Sequence, residues 1–472
     1  MLSLSLSVSV EYSPTELSDT NENRSMSQQS PFALANVRAF IAFRILFNAR
    51  FYYPVFAILF LDFGLSMEQF ALLNVAWAAT IVILEVPSGA LADLVGRRRL
   101  VVAAAMIMVV EIALLCFVPL GDSTLVFAVF LINRILSGAA EASASGADEA
   151  LAYDSLKIAG MESAWPRVLE ILMRLQSAAF FLAMALGALV YDPEALHRIC
   201  GWVGVSASFD QQDTMRFPLY LNLLSAVFAA TIVLRLKDVS LEPDKDVGKA
   251  TVSQAFSQTL AAGKWIWRTR FALIVILCAL GFDSVSRLFI TLISKYYRLI
   301  GLPEASFGVI GSAMVILGFF TPTCARWMSG KVTPVGNFWI LAAILMSGLV
   351  GIALCSGYWG LAFAAMIFVA MSFIGYFSSL YLNEISPSDM RATVLSFRGL
   401  AINLAFGAIG LLYAAEVRAL DHLAILDGRD GVDTFGQALI GFPWFFAVVV
   451  AALMIAGRIL LRDTDLRDRK TG

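Results

Sequence analysis

Long apolar runs separated by short polar stretches fill the chain from about residue 39 onward. A helix that crosses a bilayer needs about 20 mainly apolar residues. Runs of that kind cover 39–63, 69–92, 98–119, 124–146, 167–190, 217–236, 271–295, 305–327, 337–356, 358–382, 392–416 and 436–461. The pattern therefore predicts twelve membrane-spanning helices. One long polar interruption, 237–264, separates six runs from six. The predicted organisation is a tail at 1–30, a six-helix bundle at 31–236, a linker at 237–264, a second six-helix bundle at 265–462 and a tail at 463–472. The first tail is rich in Ser, Glu, Asn and Gln, too polar to bury a core of its own. Its opening Leu-Ser alternation has no basic region and makes a poor signal peptide. Lys and Arg are unevenly placed, with 22 on the side of the termini and linker and 6 in the opposite loops. By the positive-inside rule, both termini and the linker are expected in the cytoplasm.

Composition narrows the function. Of 472 residues, 59% are hydrophobic and 15% charged, against roughly 45–50% and 25% in soluble proteins. A soluble enzyme is excluded on that ground, and a net charge of −2 offers no basic excess for nucleic acid. The five cysteines show no CxxC spacing, and His197 and His422 fall in segments that read as loops. No disulfide framework, metal centre or His-based chemistry is expected. A phosphate-binding loop of the G-x-x-x-x-G-K-S/T form is also missing from the sequence, so neither a nucleotide cofactor nor direct ATP drive is expected within this chain.

The two halves repeat weakly. Aligning Gly64-Leu65 with Gly301-Leu302 also pairs Phe70 with Phe307 and Arg50 with Arg287. Arg167 and Arg174 match Arg391 and Arg398 at the same spacing. The expected architecture is thus all-α, with twelve transmembrane helices in two pseudo-symmetric six-helix bundles, a transporter signature.

Between the second and third runs stands Gly89-Ala90-Leu91-Ala92-Asp93-Leu94-Val95-Gly96-Arg97-Arg98-Arg99. The glycines permit close helix approach and a tight turn. Asp93 can accept hydrogen bonds at the membrane edge, and the arginines suit an anionic leaflet. The segment resembles the motif G-x-L-A-D-x-x-G-R-R/K of the major facilitator superfamily. The resemblance implies that Gly89, Asp93, Gly96, Arg97 and Arg98 form a gating latch between two rocking bundles. The second-half counterpart keeps Gly330 and Lys331 but has Trp327 in place of the acid, so the inner gate is expected to be asymmetric. Arg134 to Gly138 resembles the family's R-x-x-x-G element. Ala185 to Leu189 lacks the G-P-x-x-G-G element of drug/proton antiporters.

Ionisable residues inside a bilayer are costly unless paired or hydrated, so each is a functional candidate. The superfamily's cavity is lined mainly by helices one, four, seven and ten, which makes Arg50, Arg134, Asp283 and Arg287 candidates for the solute site. The arginines either receive a carboxylate or phosphate or tie helices together. Asp283 and Arg287, like Glu170 and Arg174, are one turn apart and can pair. Arg44 is expected to snorkel to the inner surface. Glu85, two residues before Pro87, is a candidate proton carrier or gate element. Glu111 and Glu141 are further candidate coupling carboxylates, and Glu141 could instead join Asp148 and Glu149 against the motif's arginines. The expected function is secondary active transport of a small organic solute, anionic or amphipathic. Proton-coupled export by a monomer in the cytoplasmic (plasma or inner) membrane is the first reading, and metabolite uptake the second. A non-transporting receptor or scaffold and a membrane-embedded enzyme are the readings of another class.

Overall fold

A computed structural model describes residues 30–206, 208–237, 252–354, 357–387, 390–427 and 433–461, with backbone alone at 86, 89–95, 252–256, 258, 315, 318–319, 392 and 461. The first bundle contains a first span made of Ala35–Asn48 and Phe56–Asp62, then Met67–Val95, Arg97–Phe117, Ser123–Ala144, Trp165–Tyr191 and Phe217–Leu234. The second bundle contains Arg270–Leu299, Ser306–Lys331, Pro334–Leu354, Gly360–Ile385, Arg391–Leu426 and Phe435–Leu461. No strand occurs among the described residues. Eleven of these helices are long and apolar enough to cross a membrane, counted over the described residues. Ser306–Lys331 stands at the eighth run and is 26 residues long. The protein is a multi-pass membrane protein.

The structure departs from the hydropathy pattern in four places. The first span is broken between Asn48 and Phe56, because Tyr53-Pro54-Val55 forms a 3-10 turn and Pro54 has no N–H to give to a continuous helix. The eleventh helix runs on to Leu426, ten residues beyond the apolar run, and carries His422 with it. His197 also lies in a helix, Pro193–Trp202, not in a loop. Within the stretch read as a polar linker, Val252–Arg268 is helical. Its Ala262 and Ile266 are buried, and the Phe397 ring lies against Gly263. Residues 238–251 lie outside the described residues.

The break is closely fitted. A Cβ on Gly187 of the fifth span would stand 1.7 Å from the Phe51 carbonyl oxygen, so only glycine lets that helix pass the turn. Asn222 of the sixth span, fully buried, accepts from the Phe51 N–H at 2.9 Å. Where the helix restarts, its first N–H groups have no partner within the helix. Ser294 Oγ of the seventh span accepts from Ala57 N at 3.0 Å and Ile58 N at 3.3 Å. The break is therefore satisfied partly from the opposite bundle.

Candidate functional site

Three pairs of spans join the bundles toward the face opposite the chain termini, the distal face, and Val252–Arg268 also packs against the second span. The first span meets the seventh at Ser294. The second meets the eleventh where Gly410 lies against Val75 and the Trp77 and Phe406 rings meet edge to face at 6.4 Å. The fifth meets the eighth at Gly308, where a Cβ would stand 2.0 Å from the Met184 carbonyl oxygen. Charged groups then cap the joint. Arg298 donates to both oxygens of Asp62 at 2.7 Å and to Glu304 at 2.8 Å. Tyr191 donates its hydroxyl to Asp62. Asp192 accepts from Ala305 N of the eighth span's start at 3.0 Å. Burial pushes the Glu304 carboxyl above the ordinary carboxylate range, against the opposing pull of Arg298.

On the termini face, the first bundle has its own charged contacts. Arg97 pairs with Asp154, and Arg98 donates to the carbonyls of Leu236 at 2.6 Å and Leu234 at 3.3 Å. Gly96 makes the turn before them with φ +100°, a conformation that favours glycine. Arg44 donates to Asp148 and Glu149, each at 3.0 Å, so it ties the first span to Ala147–Ile158 where simple snorkelling was expected. Of Gly89 and Asp93 only the backbone is described, so the Asp93 carboxylate of the expected latch lies outside the described side chains. The molecule is thus sealed at the distal face by contacts between bundles.

The membrane-buried charges form one group in each bundle. In the first, Arg50 comes from the break and donates to Glu111 of the third span at 2.8 Å. Both are buried, at 2% and 0% exposure. Asn133 of the fourth span donates to the Glu111 carbonyl at 2.9 Å and carboxylate at 3.2 Å. Next to it, Arg134 donates to Asn74 at 3.4 Å and lies over the rings of Phe56 and Trp77, 5.3 and 5.4 Å from their centroids. Glu141 lies two turns past Arg134 on the same face of the fourth span. Close packing of the second and fourth spans at Gly138, where a Cβ would stand 2.9 Å from the Thr80 Cβ, holds Trp77 against Arg134.

In the second bundle, Arg287 makes a two-point bond to Asp283, at 2.8 and 3.0 Å, as the one-turn spacing implied. Its guanidinium lies 5.8 Å from the Phe406 ring centroid. Arg398 donates to Ser378 at 3.0 Å. Phe406 is also the ring that meets Trp77, so Arg134 and Arg287 flank one aromatic pair from opposite bundles. Glu85 has a buried carboxylate oxygen with no hydrogen-bond partner, in a helix that continues through Pro87. Glu170 and Arg174 form their pair, but on an exposed surface. Sequence reasoning did not single out Asp62, Asp192, Asn133, Arg298, Trp77 or Phe406. Arg298 was visible as a cation at the end of an apolar run, but its partner lies 236 positions earlier.

Among the described residues, no group of three or more His, Cys, Asp or Glu is arranged to hold a metal ion. The model of the Major Facilitator Superfamily matches residues 38–411. The chain belongs to that superfamily. It is a membrane transporter and not an enzyme. Solved structures of similar fold include the nucleoside transporter NupG, at 15% identity and TM-score 0.65, with 91% of this chain and 99% of that one covered. A bacterial homologue of the human lysosomal transporter Spinster, inward-facing and unoccupied, aligns at 13% identity and TM-score 0.63, covering 91% and 98%. A D-xylose–proton symporter aligns at 13% identity and TM-score 0.59, covering 89% and 96%. Among curated proteins, none matches the chain in sequence.

Proposed function

We propose that this superfamily member is a proton-coupled secondary carrier that exports a small organic anion across the cytoplasmic membrane. The observation that carries this reading is the placement of Arg134 and Arg287 on either side of the Trp77–Phe406 contact between bundles. At that contact stand two guanidiniums, those of Arg134 and Arg287, and one carboxylate, Asp283, which pairs with Arg287. The excess of positive charge in a low-dielectric interior favours a carboxylate or phosphate group, and the aromatic pair favours an apolar body attached to it. Glu141 and Glu111 are the candidate proton carriers, and export in exchange for protons requires the site to take proton and anion in alternate halves of the cycle. Metabolite uptake remains the second reading, supported by the similarity to a D-xylose–proton symporter.

A thermal-shift screen of the purified protein with carboxylates and phosphates tests the site, since a ligand that binds the folded state stabilises it by mass action. One class of anion is expected to raise the melting temperature of the wild type. Arg134→Lys and Arg287→Lys should each lose that shift while melting near the wild-type temperature without ligand, because Lys keeps the charge but not the planar fork. An undiminished shift in both variants would remove the arginines from the site.

In this reading the termini face is cytoplasmic and the distal face external, so the molecule is closed to the outside. A cysteine at Ser257, exposed on the helix Val252–Arg268, should react with a membrane-impermeant reagent only after the cells are opened. Labelling of intact cells, in a background without the five native cysteines, would reverse the orientation.

A further inference from the structure

One cavity of the structure does not lie between the bundles. It is a groove of about 990 Å³ on the flank of the second bundle, opening between the seventh, ninth and twelfth spans at the termini face. Among the described residues, the ninth and twelfth spans pack mainly against helices of their own bundle, so the groove faces the surrounding lipid.

Its shape follows from how the three helices diverge. They are pinned together at Phe282, whose ring meets Phe446 of the twelfth span at 5.1 Å and Phe338 of the ninth at 6.5 Å. At Gly281 they are tighter still, since a Cβ there would stand 2.5 Å from Val449. Toward the termini face they separate. At Gly457, two turns past Val449 on the twelfth span, a Cβ would meet only Ile274, at 4.0 Å. The floor is apolar, with Ile274, Cys278, Ala342 and Leu453 along it, and Arg458 is the one charged residue in the lining. Arg458 is exposed and stands at the mouth.

We propose that this groove binds one anionic phospholipid of the leaflet on the termini side, with an acyl chain along the floor and the phosphate at Arg458. Depth supports the assignment. Phe271 at the mouth and Phe282 at the closed end are eleven residues apart in one helix, a rise of about 16 Å, and one leaflet of a hydrocarbon core about 30 Å thick supplies about 15 Å. Charge supports it too. An arginine at the membrane edge holds its stem along apolar surface and its guanidinium at headgroup level, and basic sites between transmembrane helices take anionic headgroups. A water-soluble solute would leave this apolar, lipid-facing floor unmatched. The inference is independent of the solute site.

The test is native mass spectrometry of the whole protein, delipidated and titrated with phosphatidylglycerol or phosphatidylcholine. The wild type is expected to retain one phosphatidylglycerol at least tenfold more tightly than phosphatidylcholine. Arg458→Gln should remove that preference and leave the weaker, chain-driven binding. Gly457→Leu, which projects into open groove, should lower the binding of both lipids about tenfold, and Ala342→Phe fills the same space from the ninth span. Equal retention of the two lipids by the wild type, or unchanged retention in both filling variants, would overturn the proposal. Displacement of phosphatidylglycerol by an anion from the thermal-shift screen would overturn it as well, since the groove would then be a solute site.

Discussion

Glu111→Ala should be among the most damaging single changes to this protein. Glu111 is fully buried and takes hydrogen bonds from Arg50 and Asn133, so it joins the break of the first span to the third and fourth spans. Arg50 already has one guanidinium nitrogen, Nη2, without a hydrogen-bond partner. Without Glu111 its charge would stand buried and uncompensated, a change that costs about 3–5 kcal/mol where buried pairs have been broken. The expected result is a strongly lowered melting temperature and poor recovery of folded protein. The neutral pair Arg50→Met with Glu111→Leu should recover most of that loss, because no charge is then left behind in the interior. If Arg50 serves only as a tie within the first bundle, the double variant should also keep the anion-induced thermal shift, and that is the expected result. A folded double variant that has lost the shift would put Arg50 in the solute site.

Asp62→Ala should move the molecule toward the state open at the distal face. Asp62 accepts two bonds from Arg298 across the bundle interface and one from Tyr191 within its own bundle. Hydrogen bonds to charged groups contribute about 1.5–3 kcal/mol each. Losing one such contribution from only the closed state shifts a two-state equilibrium about ten- to a hundredfold. Spin labels at Val203 of the first bundle and Leu426 of the second, both exposed near the distal face, can read this as a distance distribution. The wild type should show mainly the short distance and the variant a substantial long-distance population. An unchanged distribution would remove the lock role from Asp62.

Parts of this account were legible in the amino-acid order, for physical reasons that differ from part to part. The spans were visible because a bilayer demands about 20 apolar residues in a row. Asp283 with Arg287 was visible because helical neighbours recur at four positions. The break at Pro54 was hidden, since hydropathy registers Tyr53-Pro54-Val55 as part of an apolar run. The Arg50–Glu111 pair was hidden because its members lie 61 positions apart, and no local period connects them. Asp62 and Arg298 looked like charges at helix ends, where such residues are common. Trp77 and Phe406 could not be picked out, because aromatic residues make up 12% of the chain and only the packing of two distant helices brings these two together.

The proposed transport is that of an anion held between Arg134 and Arg287, carried across the membrane by a proton gradient. It is tested most directly by flux in proteoliposomes, using the anion that stabilises the purified protein. With an imposed pH gradient, the wild type should accumulate that anion on the acidic side, in exchange for protons leaving it. Dissipating the gradient should abolish accumulation, and Arg287→Lys should reduce the initial rate at subsaturating anion at least tenfold. Binding of the anion without gradient-dependent flux, in vesicles holding folded wild-type protein, would contradict the account.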